Sequence, residues 1–564
     1  MNRAERRRDA KRQPAGVPPP PPLEVRPLLQ EATALHRAGR LDRAEPLYEQ
    51  VLAMRPGYAE ALHLLGLLRY QTGRIEPAVE LLSEAVRRDD SNAAYCFNLG
   101  VALQKLGRQE DAATAYEKAV RLNSRYVEAL VNLGNVRLDQ GRMDEAETVY
   151  RRVLGINPSY VEAHNNLGVA LRERGNPDEA EAAYRQALTL KPDHLEALCN
   201  LGTVLMDQDR LDEAVASYEQ ALHLKPDYLK ALSQLGFARL WRGERAQAFD
   251  CFRRAGDLKH NHGRPVVKLS PMMSRIKHDA EQTQYLRARA LLPDGAVPYL
   301  EALQSLNQRV RYTDGLSTRL AISREEADAI APSFNRIMHY GPGDEIPAGA
   351  INREPNVAAI EASYVETRPG IVYVDGLLTQ GALATLRRFC WESTIWKRDY
   401  RNGYVGAFVS EGFASPLLLQ IADELRATFP AIFQRHRLTQ AWAFKQDSAL
   451  RALNLHADAA AVNVNFWITP DDANLDPTGG GLIVWDKEAP AEWNFAEYND
   501  TRHEPKVRDF LRAGGAKAVT VPYRANRAAI FNSNLFHESD RCCFKDDYQS
   551  RRINITLLYG KRPR

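Results

Sequence analysis

Three side chains in the last third of this sequence have the types and settings for metal chemistry. His456 and Asp458 stand two residues apart and run into Val462-Asn-Val-Asn-Phe-Trp-Ile468, which alternates with the period of a strand. His537 closes Ala528-Ala-Ile-Phe-Asn-Ser-Asn-Leu-Phe-His537. Two imidazoles and one carboxylate that leave coordination positions open form the facial triad that holds Fe(II) for O2 chemistry. A bare His-x-Asp is weak evidence. Its strand context, and a second His at the end of another apolar run, strengthen it.

Parity sorts the neighbours of these residues. Val462, Val464, Phe466 and Ile468 share one face of their strand, and Asn463, Asn465 and Trp467 share the other. In Arg552-Ile-Asn-Ile-Thr-Leu, the residues Ile553, Ile555 and Leu557 form an apolar row, and Arg552, Asn554 and Thr556 form a polar one. Arg551 falls off the polar row. Each apolar row suits a layer of helices. Each polar row suits a pocket, or else it faces solvent. Asparagines buried in a pocket are costly without partners. His503 is the rival to His537, but it lies in the polar stretch Asn499-Asp-Thr-Arg-His-Glu-Pro505 with no strand before it. His436 precedes the barrel strands and reads as structural.

The elements that position these residues are short strands after a helical preface. Ile371–Val374, Ala441–Phe444, Leu482–Trp485 and Ala518–Val521 read as strands, and Leu378–Trp391 and Pro416–Phe429 as helices. This pattern suits a jelly-roll β-barrel with helices packed on one sheet.

The chain has 564 residues, which suggests several domains. Its net charge of +3 implies no general nucleic-acid field. Six cysteines without zinc spacing fit a reducing, cytoplasmic setting better than a disulfide scaffold. No apolar run is long enough to span a bilayer. Residues 1–26 read as a disordered basic and proline-rich tail, ending its proline run at Pro22.

From residue 27 to 261 the sequence repeats. Gly66, Gly100, Gly134, Gly168, Gly202 and Gly236 recur every 34 residues. Gly39, Gly73, Gly107, Gly141, Gly175 and Gly243 keep the same register, with Asp209 replacing one member. Alanines from Ala44 to Ala248 and large residues from Tyr48 to Phe252 follow the same step. This resembles the tetratricopeptide repeat (TPR), as seven units of two helices that must stack to bury their apolar faces. The resemblance implies a superhelix whose concave surface binds a protein or peptide. Asn98, Asn132, Asn166 and Asn200 each precede a Leu-Gly pair. The arrangement is similar to the asparagine ladder of O-GlcNAc transferase, which clamps extended peptides, though no glycosyltransferase domain is evident here. Alternatively, these amides bond across repeats and hold the stack.

Residues 262–366 read as a helical adaptor and linker. Lys277–Leu292 and Tyr299–Leu306 have helical patterning, and Ser323 with Glu326 has the spacing of a capping box. His260, His262 and His278 lack a matching carboxylate pattern for a metal.

Residues 367–564 resemble the Fe(II)- and 2-oxoglutarate-dependent dioxygenases of the prolyl-hydroxylase type. The family's motif is His-x-Asp, a distant His, then a basic residue on the next strand, and His456, Asp458, His537 and Arg552 match it in order. The resemblance implies three protein ligands to Fe(II), with 2-oxoglutarate and O2 as cosubstrates and Arg552 on the distal carboxylate. It brings Asn463, Asn465 and Trp467 into the cosubstrate pocket. Arg stands where prolyl hydroxylases commonly carry Lys, which leaves the substrate open. The expected function is a hydroxylase with a recruiting repeat arm. The alternatives are a non-catalytic scaffold with an inactive barrel, and a jelly-roll protein using another metal.

Overall fold

The computed structural model describes residues 25–263, 267–293, 295–310, 318–366, 370–400, 403–434, 436–447, 455–490, 492–493 and 495–562. Most of the expected basic tail, residues 367–369 at the expected start of the C-terminal domain, and Leu453 and Asn454 lie outside them. The chain divides into two compact units, residues 1–200 and 201–564.

The first unit is helical. The first helix runs Val25–Arg37, and hairpin follows hairpin, for example Val127–Asp139 with Met143–Ile156. The periodic residues explain the hairpins. A Cβ added to Gly134 would lie 2.7 Å from the ring of Tyr150, so only glycine lets that ring lie against its partner helix. Gly100 with Tyr116 and Gly168 with Tyr184 repeat the arrangement, each at 2.6 Å. Tyr116, Tyr150 and Tyr184 are fully buried by it. The second glycine series closes the first helix of each hairpin in the left-handed region, with φ from +73° at Gly39 to +83° at Gly175.

The second unit opens on two more hairpins of the same kind. There Asp209 takes over the left-handed position at φ 60°, which a short polar side chain tolerates. Ten strands follow: β1 Ile371–Val374, β2 Arg398–Asp399, β3 Val405–Phe408, β4 Leu438–Gln446, β5 Val462–Trp467, β6 Leu482–Glu488, β7 Ala518–Val521, β8 Ala528–Asn532, β9 Leu535–Ser539 and β10 Arg552–Tyr559. They form a seven-stranded antiparallel sheet in the order β1-β8-β5-β10-β4-β3-β2 and a three-stranded one in the order β7-β6-β9. Trp467, Ala529 and Phe531 of the large sheet share one core with Leu482, Val484 and Val521 of the small one. The opposite face of the large sheet is covered by helices. Arg387 of helix Gln380–Glu392 reaches the Ile468 carbonyl. The Tyr559 hydroxyl donates to the Ala422 carbonyl at 2.9 Å.

The middle segment packs on this unit through buried charge. Helix Met273–Arg287 buries Arg275, Lys277, His278, Asp279 and Gln282 together. Lys277 reaches Asp447 at 2.8 Å and Asp546 at 2.7 Å, and Arg551 reaches Asp447 at 2.9 Å and also Glu281. The expected capping box is formed, with Ser323 Oγ accepting from Glu326 N–H and Glu326 accepting from Ser323 N–H. Helices Val357–Glu366 and Glu504–Ala513 went unread in the sequence.

Candidate metal centre

Backbone pairing brings the two histidines together. His456 forms an isolated antiparallel bridge with His537, donating N–H to its carbonyl at 3.0 Å and accepting at 2.8 Å. The imidazoles therefore stand side by side, with ring centroids 4.4 Å apart. Asp458, whose N–H donates to the Ser533 carbonyl at 3.1 Å, points at both. Its oxygens lie 4.0 Å from His456 Nε2 and 3.4 Å from His537 Nε2. One ligand atom from each residue falls within 4.8 Å of the others. Among the described residues no other trio of His, Cys, Asp or Glu does this. His503 ends a short 3-10 turn at Thr501–His503, and His278 is fully buried against Asp279 at 3.0 Å.

The electrostatics favour a cation here. His537 Nδ1 is 3.0 Å from the Leu535 carbonyl, which makes Nδ1 the protonated nitrogen. Nε2 is then the ring nitrogen that faces Asp458, and a metal ion between the two would be ligated by both. Burial alone would raise the Asp458 carboxyl. Bonding to His537, the charges of His456 and His537, and the Asn463 amide outweigh it and hold it below the usual carboxylate range.

The polar rows of β5 and β10 face inward, not to solvent. Asn463, Asn465, Asn554 and Thr556 are all buried. Their side chains bond in sequence toward Asp458. Asn463 donates to Asp458 at 2.7 Å, Asn465 donates to Asn463 at 2.7 Å, and Asn554 donates to Asn465 at 2.6 Å. Cross-strand register makes this chain, because Asn465 stands opposite Thr556 and Trp467 opposite Asn554. The amide groups of Asn463 and Asn465 thus bond one another and the metal-site carboxylate. Trp467 is fully buried, and its indole N–H has no acceptor among the described residues.

Arg552 shares the inward face, 5.8 Å from the centroid of the Trp467 ring. Its donors go to the Gly480 carbonyl at 2.7 Å, the Gly481 carbonyl at 3.1 Å and Gln446 at 2.8 Å. All three are neutral, and no carboxylate among the described residues lies within ion-pair distance of this buried guanidinium. Gln446 and the two glycines were not expected at the site. The pairing of β4 with β10 sets Gln446 opposite Arg552. The cavity at the triad is lined by Trp442, Phe444, Asn465, Asn554 and Thr556 among others.

The repeat asparagines occupy equivalent, partly exposed positions. Their amides are engaged inside the array. Asn98 meets His63 Nε2 at 2.7 Å, Asn166 donates to Asn135 at 2.9 Å, and Asn200 donates to Asn165 at 3.0 Å. Burial lowers His63 to about 4, so its ring is neutral and accepts from Asn98. Asn132 makes only a long bond, 3.4 Å, to the Tyr116 hydroxyl. These amides, for which both peptide clamping and cross-repeat bonding were open from sequence, bond from repeat to repeat.

Residues 97–161 and 165–228 match one family model of the tetratricopeptide repeat, and 35–96 match another. The array is built of tetratricopeptide repeats. Among solved structures, MamA is 27% identical over 30% of this chain and 92% of its own, with a TM-score of 0.29. YrrB, a TPR protein with an unusual peptide-binding site, is 23% identical over 33% of this chain and 95% of its own, at 0.28. A tetratricopeptide repeat protein from Parabacteroides merdae is 20% identical over 42% of this chain and 94% of its own, at 0.36. No curated protein matches the chain. Among the described residues no helix is long and apolar enough to cross a membrane.

Proposed function

We propose that residues 367–564 are an Fe(II)- and 2-oxoglutarate-dependent oxygenase, a hydroxylase on a double-stranded β-helix, and that the repeat array recruits its protein or peptide substrate. The observation that carries this reading is the trio His456, Asp458 and His537, with ligand atoms within 4.8 Å of one another. The donor set fits Fe(II), because two imidazoles and one carboxylate leave positions open. When bound, iron with 2-oxoglutarate and O2 supplies oxidative decarboxylation to succinate coupled to hydroxylation of a C–H bond.

The protein's own groups do the rest. The Leu535 carbonyl fixes the His537 tautomer, and Asn463 holds one oxygen of Asp458 in place. Arg552 offers a buried positive charge without a counter-ion among the described residues, which suits one end of a dicarboxylate. The two sheets exclude water around it. TPR hairpins stack into surfaces that hold extended segments, and YrrB with its peptide-binding site is a precedent within that repeat class.

The test is succinate formation by iron-loaded protein given 2-oxoglutarate under air, with and without a cell extract as the source of substrate. The reading expects Fe(II)-dependent succinate that Asp458→Ala abolishes. No succinate under any condition, or equal amounts from the variant, would overturn it.

A further inference from the structure

Asn554 carries an acceptor that nothing among the described residues satisfies. Its side chain lies on the wall of the triad cavity, the residue is 5% exposed, and its Oδ1 receives no donor. Which end of an amide is oxygen is often a matter of assignment. Here the carboxylate fixes it. Asp458 offers only lone pairs, so Asn463 must present its NH2 to it. The Asn463 oxygen then takes the NH2 of Asn465, and the Asn465 oxygen takes the NH2 of Asn554 and the hydroxyl of Thr556 at 3.1 Å. Every link runs toward Asp458, and the leftover acceptor is Asn554 Oδ1.

A buried acceptor without a donor is rare in folded proteins, and each one asks for an explanation. 2-Oxoglutarate cannot supply the donor, since its two carboxylates and ketone hold no hydrogen to give at neutral pH. Beside Asn554 and Thr556, as their register partners on β4, stand the half-buried rings of Phe444 and Trp442. We infer that Asn554 Oδ1 is a specificity-determining acceptor that reads an N–H or O–H of the prime substrate, a group carried on a flat apolar body that packs on these rings. The word substrate rests on the oxygenase reading, but the binding preference does not.

The probes are benzamide, which has an aromatic body and an amide N–H, and N,N-dimethylbenzamide, which lacks the donor. Their affinities are measured by ligand-observed NMR on the full chain, without turnover. Benzamide should bind the wild type about threefold to tenfold more tightly, the net worth of one hydrogen bond. Asn554→Leu should bring the ratio to about one, while Asn554→Asp, which keeps an acceptor, and Thr556→Val, which leaves Oδ1 in place, should preserve it. A wild-type ratio near one overturns the inference whether or not any variant folds. So does a ratio that survives Asn554→Leu or disappears equally in Thr556→Val. If the acceptor instead serves a metal-bound water, Asn554→Leu would weaken Fe(II) uptake with no preference between the amides, and that too overturns it. Because binding is read without turnover, a protein that discriminates but makes no succinate fails the oxygenase reading alone.

Discussion

Arg551 and Arg552 are adjacent, and both are buried, but they answer to different partners. Arg551 sits in an ion-pair cluster with Asp447 and Glu281. Among the described residues Arg552 bonds only neutral acceptors, and it lies on the face that carries the amide chain. Removing one partner of a buried ion pair costs about 3–5 kcal/mol. Arg551→Ala is therefore expected to lower the melting temperature sharply while leaving the 2-oxoglutarate requirement of the surviving protein unchanged. Arg552→Ala is expected to raise that requirement strongly with a smaller loss of stability. Thermal melts and a 2-oxoglutarate titration of both variants check the pair, and the reverse pattern would place the cosubstrate elsewhere. Parity was enough to tell the two arginines apart from sequence. It could not show that Arg551 is buried, because Glu281 lies 270 residues away in sequence.

At the scale of the hairpin, the glycines carry the argument. Gly134→Ala would drive a methyl into the fully buried Tyr150 ring, 2.7 Å from its nearest carbons. Overpacking of this kind costs about 1–3 kcal/mol, and denaturant unfolding should show it. Gly155, which has nothing within 4 Å of an added Cβ, is the control and should tolerate alanine. The asparagine ladder gives a second prediction. Asn165, Asn166 and Asn200 form a relay that ends on Asn135. Asn165→Ala breaks two of its bonds, and at about 0.5–1.5 kcal/mol each it should destabilise the array more than Asn132→Ala, whose bond to Tyr116 is long. Equal melting temperatures for the two variants would show that the relay does not hold the stack. The ladder's register was plain in the sequence because a period shows equivalence. What each amide bonds to was not, since a period says nothing of the neighbour one repeat away.

For the molecule as a whole, legibility followed periodicity. The repeats and the inward rows of β5 and β10 announce themselves by steps of 34 and of two. Helix Met273–Arg287 does the opposite. Its Arg275, Lys277 and Asp279 are charged yet buried, because the acids and carbonyls that satisfy them come from remote segments such as Asp447, Asp546 and the Lys397 carbonyl. The triad was legible as residue types, and its geometry depends on a single bridge between His456 and His537 that no spacing reveals. The measurement that tests the central claim most directly is an anaerobic Fe(II) titration of the wild type, His456→Ala and Asp458→Ala, with 2-oxoglutarate binding followed in parallel. The expected result is one iron per chain in the wild type, loss of tight binding in both variants, and 2-oxoglutarate affinity that requires iron. Wild-type iron affinity in Asp458→Ala would contradict it.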